Sequence, residues 1–384
     1  MRIATPTFAL ALAIATAAPS VAAAQDGVLV YRLGRDTVAI EQFSRTSTQL
    51  TGETVMRSGA SVTRTQYEIA VGRDGWPTGA VIRRRQADGS PLPNAPLEYR
   101  FTFFADSAVR QLAWPDSART QGFRVRHAVP AVPVFSYALL ELLWELRRSG
   151  AAVDSLPAVG LGGNTVGFVG LEAVGGDTLR LRGGPYAMRV RFDAGGRLLE
   201  VDGSFTTNKA VGSRATGRVD IGALARAMAP TGVLSPRANA YAAFQRGPIF
   251  INYGSPAVRG RSVWGGVLIP YDSIWRAGAN EATHLATSKT IQLGDVTLAP
   301  GLYTLWVQHT RAGTFLIVNR QVGQWGTMYD AAQDIGRVRM ELAPTPQHVE
   351  HLTFTIRATG PESGAIDIAW GDSVATATFM VRQR

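Results

Sequence analysis

The chain has 384 residues, with 39 basic against 29 acidic side chains, a formal net charge of +10 and no cysteine. The missing thiols exclude disulfides, thiolate chemistry and sulfur-ligated metal sites, so packing alone must hold the fold. The positive balance favours anionic surfaces, but the arginines are spread out, with Arg83-Arg84-Arg85 the densest run, and Lys209 and Lys289 are the only lysines; with no recognisable module to concentrate that charge, no nucleic-acid partner is expected.

Residues 1–24 read as an export signal. Arg2 supplies the positive charge, residues 8–18 are apolar apart from Thr16, Pro19 and Ser20 break the run, and Val21-Ala22-Ala23-Ala24 offers small side chains for a cut before Gln25. The run is about half of the roughly 20 residues that a spanning helix needs, and no later stretch is apolar enough to span. The expected location is periplasmic or secreted, with no transmembrane segment after signal removal.

From Gln25 onward, alternation dominates. Tyr67, Ile69 and Val71 are separated by Glu68 and Ala70; Tyr99, Phe101 and Phe103 by Arg100 and Thr102; Met188, Val190 and Phe192 by Arg189 and Arg191. A period of two means strands with one wet face. Arg73-Asp74-Gly75, Ala87-Asp88-Gly89, Gly175-Gly176-Asp177 and Asp193-Ala194-Gly195-Gly196 supply turns between them. One helix is expected over 134–149, with Pro133 before it and Gly150 after it. Its six apolar residues from Leu139 to Leu146 surround most of its circumference, which suits burial against a sheet. A curved antiparallel sheet around one packed helix would leave an apolar hollow, similar in architecture to the half-barrel lipid carriers of the periplasm. Residues 203–234, rich in Thr, Ala and Gly with a short helical candidate at 221–229, read as the connection that closes a first domain at 25–230.

Residues 231–384 return to short strands, expected at 249–253, 262–269, 283–293, 301–309, 314–319, 338–342, 351–357, 365–370 and 374–381. Strands this short with Pro and Gly between them suggest a β-sandwich or jelly roll. The fold class is therefore mainly β in both halves.

Four stretches of the second half carry a resemblance. They are Ser235-Pro236-Arg237-Ala238; Tyr253-Gly254-Ser255-Pro256-Ala257-Val258-Arg259-Gly260-Arg261; Val267-Leu268-Ile269-Pro270-Tyr271 running into Ile274-Trp275-Arg276-Ala277-Gly278-Ala279-Asn280-Glu281-Ala282-Thr283; and Pro300-Gly301-Leu302-Tyr303-Thr304-Leu305 with 319–325. Over about residues 235–384 the chain resembles the bacterial family known as domain of unknown function 2911. The resemblance implies a domain boundary and an exported location, but no chemistry, and it does not reach the first half.

The strongest candidate site is Trp275-Arg276 with Asn280-Glu281 around Gly278. Arg is a forked donor, Glu an acceptor, and an Asn amide is both, so the set could hold a sugar or a carboxylated ligand. The bland alternative is an Arg276–Glu281 pair with Asn280 tightening the turn. Trp275 and Trp325 are expected to be reachable by ligand, whereas Trp306 and Trp370 sit in strand patterns and read as core. In His348-Val349-Glu350-His351, alternation lets His348 and Glu350 share a face while His351 points away, which falls short of the converging ligands a zinc site needs. No metal or other cofactor is expected. There is no Gly-x-Ser-x-Gly elbow, and Gly160-Leu161-Gly162-Gly163-Asn164 lacks both the third glycine and the βαβ setting of a dinucleotide loop. No catalytic residue is identified.

Two functions remain. One is a non-enzymatic binding protein of the cell envelope, with an apolar or glycan-type ligand and a glycan, lipid or envelope partner. The other is a hydrolase of an envelope polymer, using Glu281 with Asp330 or Asp334 as a carboxylate pair whose separation would set the mechanism. The scarcity of histidine (five residues) and the absence of a nucleophile motif favour binding.

Overall fold

The computed structural model describes residues 25–382 except 132, 176–177, 184–187, 205, 207–208 and 245–246. The export-signal reading, and Gly176 and Asp177 of one expected turn, lie outside the described residues. The described chain is mainly β, with a sheet and a packed helix in its N-terminal part and a second sheet in its C-terminal part.

Fifteen strands form the first sheet as two meanders that meet at Gln25–Leu33. One runs outward through Asp36–Arg45, Gln49–Arg57, Val62–Val71 and Pro77–Gln86 to Ala118–Arg124. The other returns from Val129–Pro130 through Leu156–Val159 to Leu198–Asp202 and Val211–Ala215. Alternation sets the faces: Tyr67, Ile69, Tyr99, Phe101 and Phe103 are buried, while Gln66, Glu68, Arg100 and Thr102 are exposed. The two arms also meet away from Gln25–Leu33. Arg110, 2% exposed, donates from one arm to the carbonyls of Gly160 (2.8 Å) and Gly163 (2.7 Å) beside the other. The 160–164 turn thus serves as an acceptor for a buried guanidinium.

The reading of residues 203–234 needs correction. This segment is not merely a connection, because Val211–Ala215 pairs with both Gln25–Leu33 and Leu198–Asp202 and joins the two meanders. Gly212 makes this possible: Tyr31 lies over it, where a Cβ would collide with the ring. The helical candidate is realised as Ile221–Ala227, capped by Asp220, whose carboxylate accepts from Ala223 N at 2.8 Å. It packs Ile221 and Ala225 against Val55 and Val62 of the first sheet.

The long helix is Leu139–Arg148, shorter than the expected 134–149. Phe135 has φ +66°, which a right-handed helix cannot hold. The fully buried Glu41 then accepts the N–H groups of Tyr137 (2.9 Å) and Ala138 (3.1 Å), ending the helix there from outside. Its leucines at 139, 140, 142, 143 and 146 pack into the same core as Leu29, Tyr67, Phe101 and Leu171. The helix is therefore packed against the sheet, as its apolar circumference predicts.

The second sheet has ten strands from Arg237–Phe244 to Ser363–Arg382. Asp334–Ala358 and Ser363–Arg382 are single long strands where shorter pieces were expected, and their register shifts between Pro344 and Thr353. There the pair bends back over the first strands: Val258 N donates to Glu350 O (2.8 Å) and Leu352 N to Pro256 O (3.0 Å). Phe244 meets Phe379 at 5.2 Å and Tyr253 meets Phe354 at 4.7 Å, giving a sandwich-like core. The expected strand 283–293 is two, Thr283–Thr287 and Thr290–Leu293, paired to different neighbours. Residues 262–269 form a loop rather than a strand, because left-handed backbone at Arg259, Gly260, Gly265 and Asp272 breaks the extended run.

Candidate ligand pocket between the two sheets

The two sheets touch through the turn between Gln25–Leu33 and Asp36–Arg45. Arg35 N donates to Arg259 O at 3.0 Å, Asp36 pairs with the Arg259 guanidinium, and Arg35 approaches Glu350 at 3.8 Å. Gly34, at φ +61°, has no room for a Cβ beside the Arg259 carbonyl. A second bridge is Lys209, whose Nζ donates to Ser204 O (3.1 Å) on its own side and to Val267 O (3.2 Å) across the junction.

A pocket of about 950 Å³ opens at this junction. Its walls come from both sheets and from the loops between them. Leu33, Val38 and Met56 belong to the first sheet; Leu268, Ile274 and Trp275 belong to the second unit; Phe135 and Leu234 come from the connecting segments. Five cations also line it: Arg57, Lys209, Arg259, Arg261 and Arg276. Among the described lining residues there is no carboxylate and no imidazole.

Backbone carbonyls hold most of this charge. Arg261 donates to Val258 O (2.9 Å) and Ala257 O (2.8 Å), Arg57 to Ala229 O (2.6 Å) and Thr37 O (2.9 Å), and Arg276 to Asn280 O (3.1 Å). Burial, reinforced by the nearby Arg261 and Arg276, pushes the Lys209 ammonium down to about 8. Burial, with Arg259 beside it, pushes Arg261 down to about 10. Asp36 and Glu350 offset part of that repulsion. Both are engaged elsewhere, Asp36 by Arg259 and Glu350 by the Arg259 N–H (3.0 Å) and by His348 (3.4 Å).

The structure brings together part of the expected site. Trp275, Arg276 and Asn280 line the pocket. Trp275 is less reachable than its sequence context suggests: it is 8% exposed, stacked on Trp370 at 5.6 Å and edge-on to Trp264 at 6.3 Å. Trp306 and Trp370 are core residues, as expected. Asn280, at φ +63°, turns the chain so that its carbonyl accepts from both Arg276 and Gly326 N (2.9 Å). Glu281 and Trp325 form a β-bridge beside that turn but are not lining residues. Glu281 lies 3.6 Å from Arg237, and Trp325 is 42% exposed.

The proposed acid–base partners have other work. Asp330 caps the short turn at Ala331–Gln333, and Asp334 accepts from Tyr329 (2.6 Å) and Asn319 (2.9 Å). His348 sits between Glu350 and Asp372, which raises its pKa mainly through the Asp372 hydrogen bond. Among the described residues, no three His, Asp or Glu side chains are placed to hold a metal ion, and no helix is long and apolar enough to cross a membrane.

Sequence reasoning missed the cationic half of the pocket. One signal was present: in a chain that uses arginine almost everywhere, Lys209 is one of two lysines. Arg259 and Arg261 lie within a stretch already singled out by resemblance, but nothing local shows that they face residues from the other sheet. Residues 235–379 match the family model described as "Protein of unknown function (DUF2911)"; the first sheet lies outside the match. Searches of curated proteins and of solved structures find no match.

Proposed function

We propose that the chain is an exported binding protein of the cell envelope, periplasmic or secreted, whose ligand sits between the two sheets against Trp275, Arg276 and Asn280. The observation that carries this reading is the pocket itself, whose volume of about 950 Å³ is at the upper end of those that take small molecules. It gathers three residues of the most distinctive motif in the chain. The apolar wall, and the covering of Trp275 by Trp370, support a ligand with an apolar body of lipid type over a flat glycan stacked on an open indole. The lack of carboxylate and imidazole among the described lining residues supports binding over acid–base hydrolysis. Glu281 and Trp325, on the adjoining turns, would meet the part of the ligand that leaves the pocket.

Titration with N-phenyl-1-naphthylamine, an uncharged apolar fluorophore, tests this. Saturable enhancement is expected. Val134→Trp and Val233→Trp, at exposed lining positions, should weaken it at least about tenfold by filling the space. Unaltered binding in both variants would place the fluorophore elsewhere and remove the pocket as the site. Export is tested by the mass of the mature chain from an envelope or culture fraction. It should begin at Gln25, and an intact Met1 would reject the export reading.

A further inference from the structure

The pocket differs from an ordinary apolar cavity in its charge. Lys209, Arg261 and Arg276 are drawn from a connecting segment, a loop and the motif turn, and all three line one space with no carboxylate among the described lining residues. Cations drawn partly out of water are normally paired with anions. Here the carboxylates that act on Arg261 lie outside the lining and are also engaged by Arg259, Asp36 by its guanidinium and Glu350 by its N–H. The Lys209 ammonium rests on two carbonyl oxygens, and Arg261 on two more. Carbonyl dipoles solvate a cation without neutralising it. An apolar wall of Leu268, Ile274 and Trp275 completes the surface.

Resting on the reading that this pocket binds ligand, the geometry points to an anionic amphiphile: a phosphate, carboxylate or sulfate group held by Lys209, Arg261 and Arg276, with its apolar body against Leu268, Ile274 and Trp275. Burial is the main cause of the depressed pKa values of Lys209 and Arg261; the guanidinium groups of Arg261 and Arg276 add to it at Lys209, and that of Arg259 adds to it at Arg261, where Glu350 and Asp36 act in the opposite direction. An incoming anion relieves that repulsion and forms charge-assisted hydrogen bonds in a partly desolvated site.

The experiment compares ligands that share one alkyl chain. Dodecyl phosphate, dodecanol and dodecyltrimethylammonium, each below its micellar concentration, compete with N-phenyl-1-naphthylamine on the full mature chain; inorganic phosphate is the fourth competitor. Dodecyl phosphate should bind at least about tenfold more tightly than dodecanol, dodecyltrimethylammonium more weakly than dodecanol, and inorganic phosphate far more weakly than dodecyl phosphate. Lys209→Met and Arg261→Gln should each shrink the preference for phosphate over alcohol by about tenfold. Added salt should shrink it in the unmodified protein too, which keeps the test decisive if either variant folds poorly. Equal affinity for the three alkyl compounds would overturn the anionic assignment and leave the pocket as a plain apolar site. A preference for phosphate that survives both substitutions would also overturn it. Inorganic phosphate competing as well as dodecyl phosphate would make this a small-anion site and overturn the amphiphile. Failure of all four to compete, together with no fluorophore binding, would defeat both this inference and the reading it rests on.

Discussion

The two sheets fill their interiors by different means. The first packs a helix against its apolar face and fixes it with two fully buried carboxylates. Glu41 accepts from Tyr31 (2.8 Å), Tyr67 (2.6 Å) and the two N–H groups that start the helix. Glu141, on the helix, accepts from Leu198 N (2.9 Å) and Arg214 (2.9 Å), with Arg45 at 3.4 Å. The second unit closes one pair of long strands over its neighbours with aromatic and aliphatic side chains, and among its described buried residues there is no carboxylate. A leucine-rich helix can slide or rotate against an apolar sheet face at little cost, whereas hydrogen bonds through Glu41 on the sheet and Glu141 on the helix hold one position. Strands already tied by ladder hydrogen bonds need no such device. Directional polar groups therefore appear where backbone pairing cannot set the register.

The largest effect that follows is on the helix anchors. Glu41→Ala leaves two tyrosine hydroxyls and two helix N–H groups without their acceptor, and Glu141→Ala strands Arg214. Each should cost about 3 kcal/mol or more, at Glu41 because several buried donors lose their acceptor and at Glu141 because a buried ion pair is broken. Denaturant melts followed by far-UV dichroism would read this, and a loss below about 1 kcal/mol would mean that the helix is held by its leucines alone.

The pH response should separate the two units next. Burial pushes the Glu41 carboxyl up to about 7 from an ordinary value of 4.5, although its four hydrogen bonds act in the opposite direction. The unfolded chain releases this proton near 4.5, while the folded chain keeps it to about 7. The stabilising contribution is therefore complete below 4.5 and is lost as pH rises to 7, a change on the order of 3 kcal/mol. Melts of the unmodified chain and of Glu41→Gln at pH 5 and 7 should diverge accordingly. An identical pH dependence in both would remove Glu41 as the source.

Smaller still is the expected response of the second core. Ile366 is fully buried there among apolar neighbours, so Ile366→Val should cost about 0.5–1.5 kcal/mol. A loss comparable to that of Glu41→Ala would break the contrast, because it would show shape-specific packing as demanding as the polar anchors.

The same contrast explains what could be read in advance. Strands 62–71, 98–103 and 188–192 announce themselves, because a half-wet sheet imprints a period of two on its own residues. The apolar run of Leu139–Arg148 was equally plain. Its true start was not, since the stop signal is Glu41, nearly a hundred residues upstream. Val211–Ala215 has no pattern of its own and becomes a strand only because Gln25–Leu33 and Leu198–Asp202 need a partner. In the pocket, Trp275, Arg276 and Asn280 were legible as a dense local motif. Lys209, Arg57 and Arg261 were not, because contacts such as Arg35 to Arg259 bring them together across the junction.

The smallest effect is expected at the motif itself. Glu281 has 54% of its side chain exposed and lies 3.6 Å from a partly exposed Arg237, so solvent already screens the interaction. Glu281→Gln keeps the side-chain shape and should cost about 0–1 kcal/mol, as for surface pairs. Arg276 donates to the Asn280 carbonyl, which keeps its bond from Gly326 N when the guanidinium is removed. No buried acceptor is orphaned at that carbonyl, and Arg276→Ala should also stay within about 1 kcal/mol of the unmodified chain. Denaturant melts of both variants decide between two roles for charge. A loss of about 3 kcal/mol or more in either would place this turn with Glu41 and Glu141, as a charged cluster that holds the fold. Near-native stability in both, with a weakened preference for dodecyl phosphate in Arg276→Ala, would place it with the pocket. The second outcome is expected, because stability here rests on the aromatic stack of Trp275 on Trp370 and on the backbone bonds of the turn, neither of which the substitutions touch.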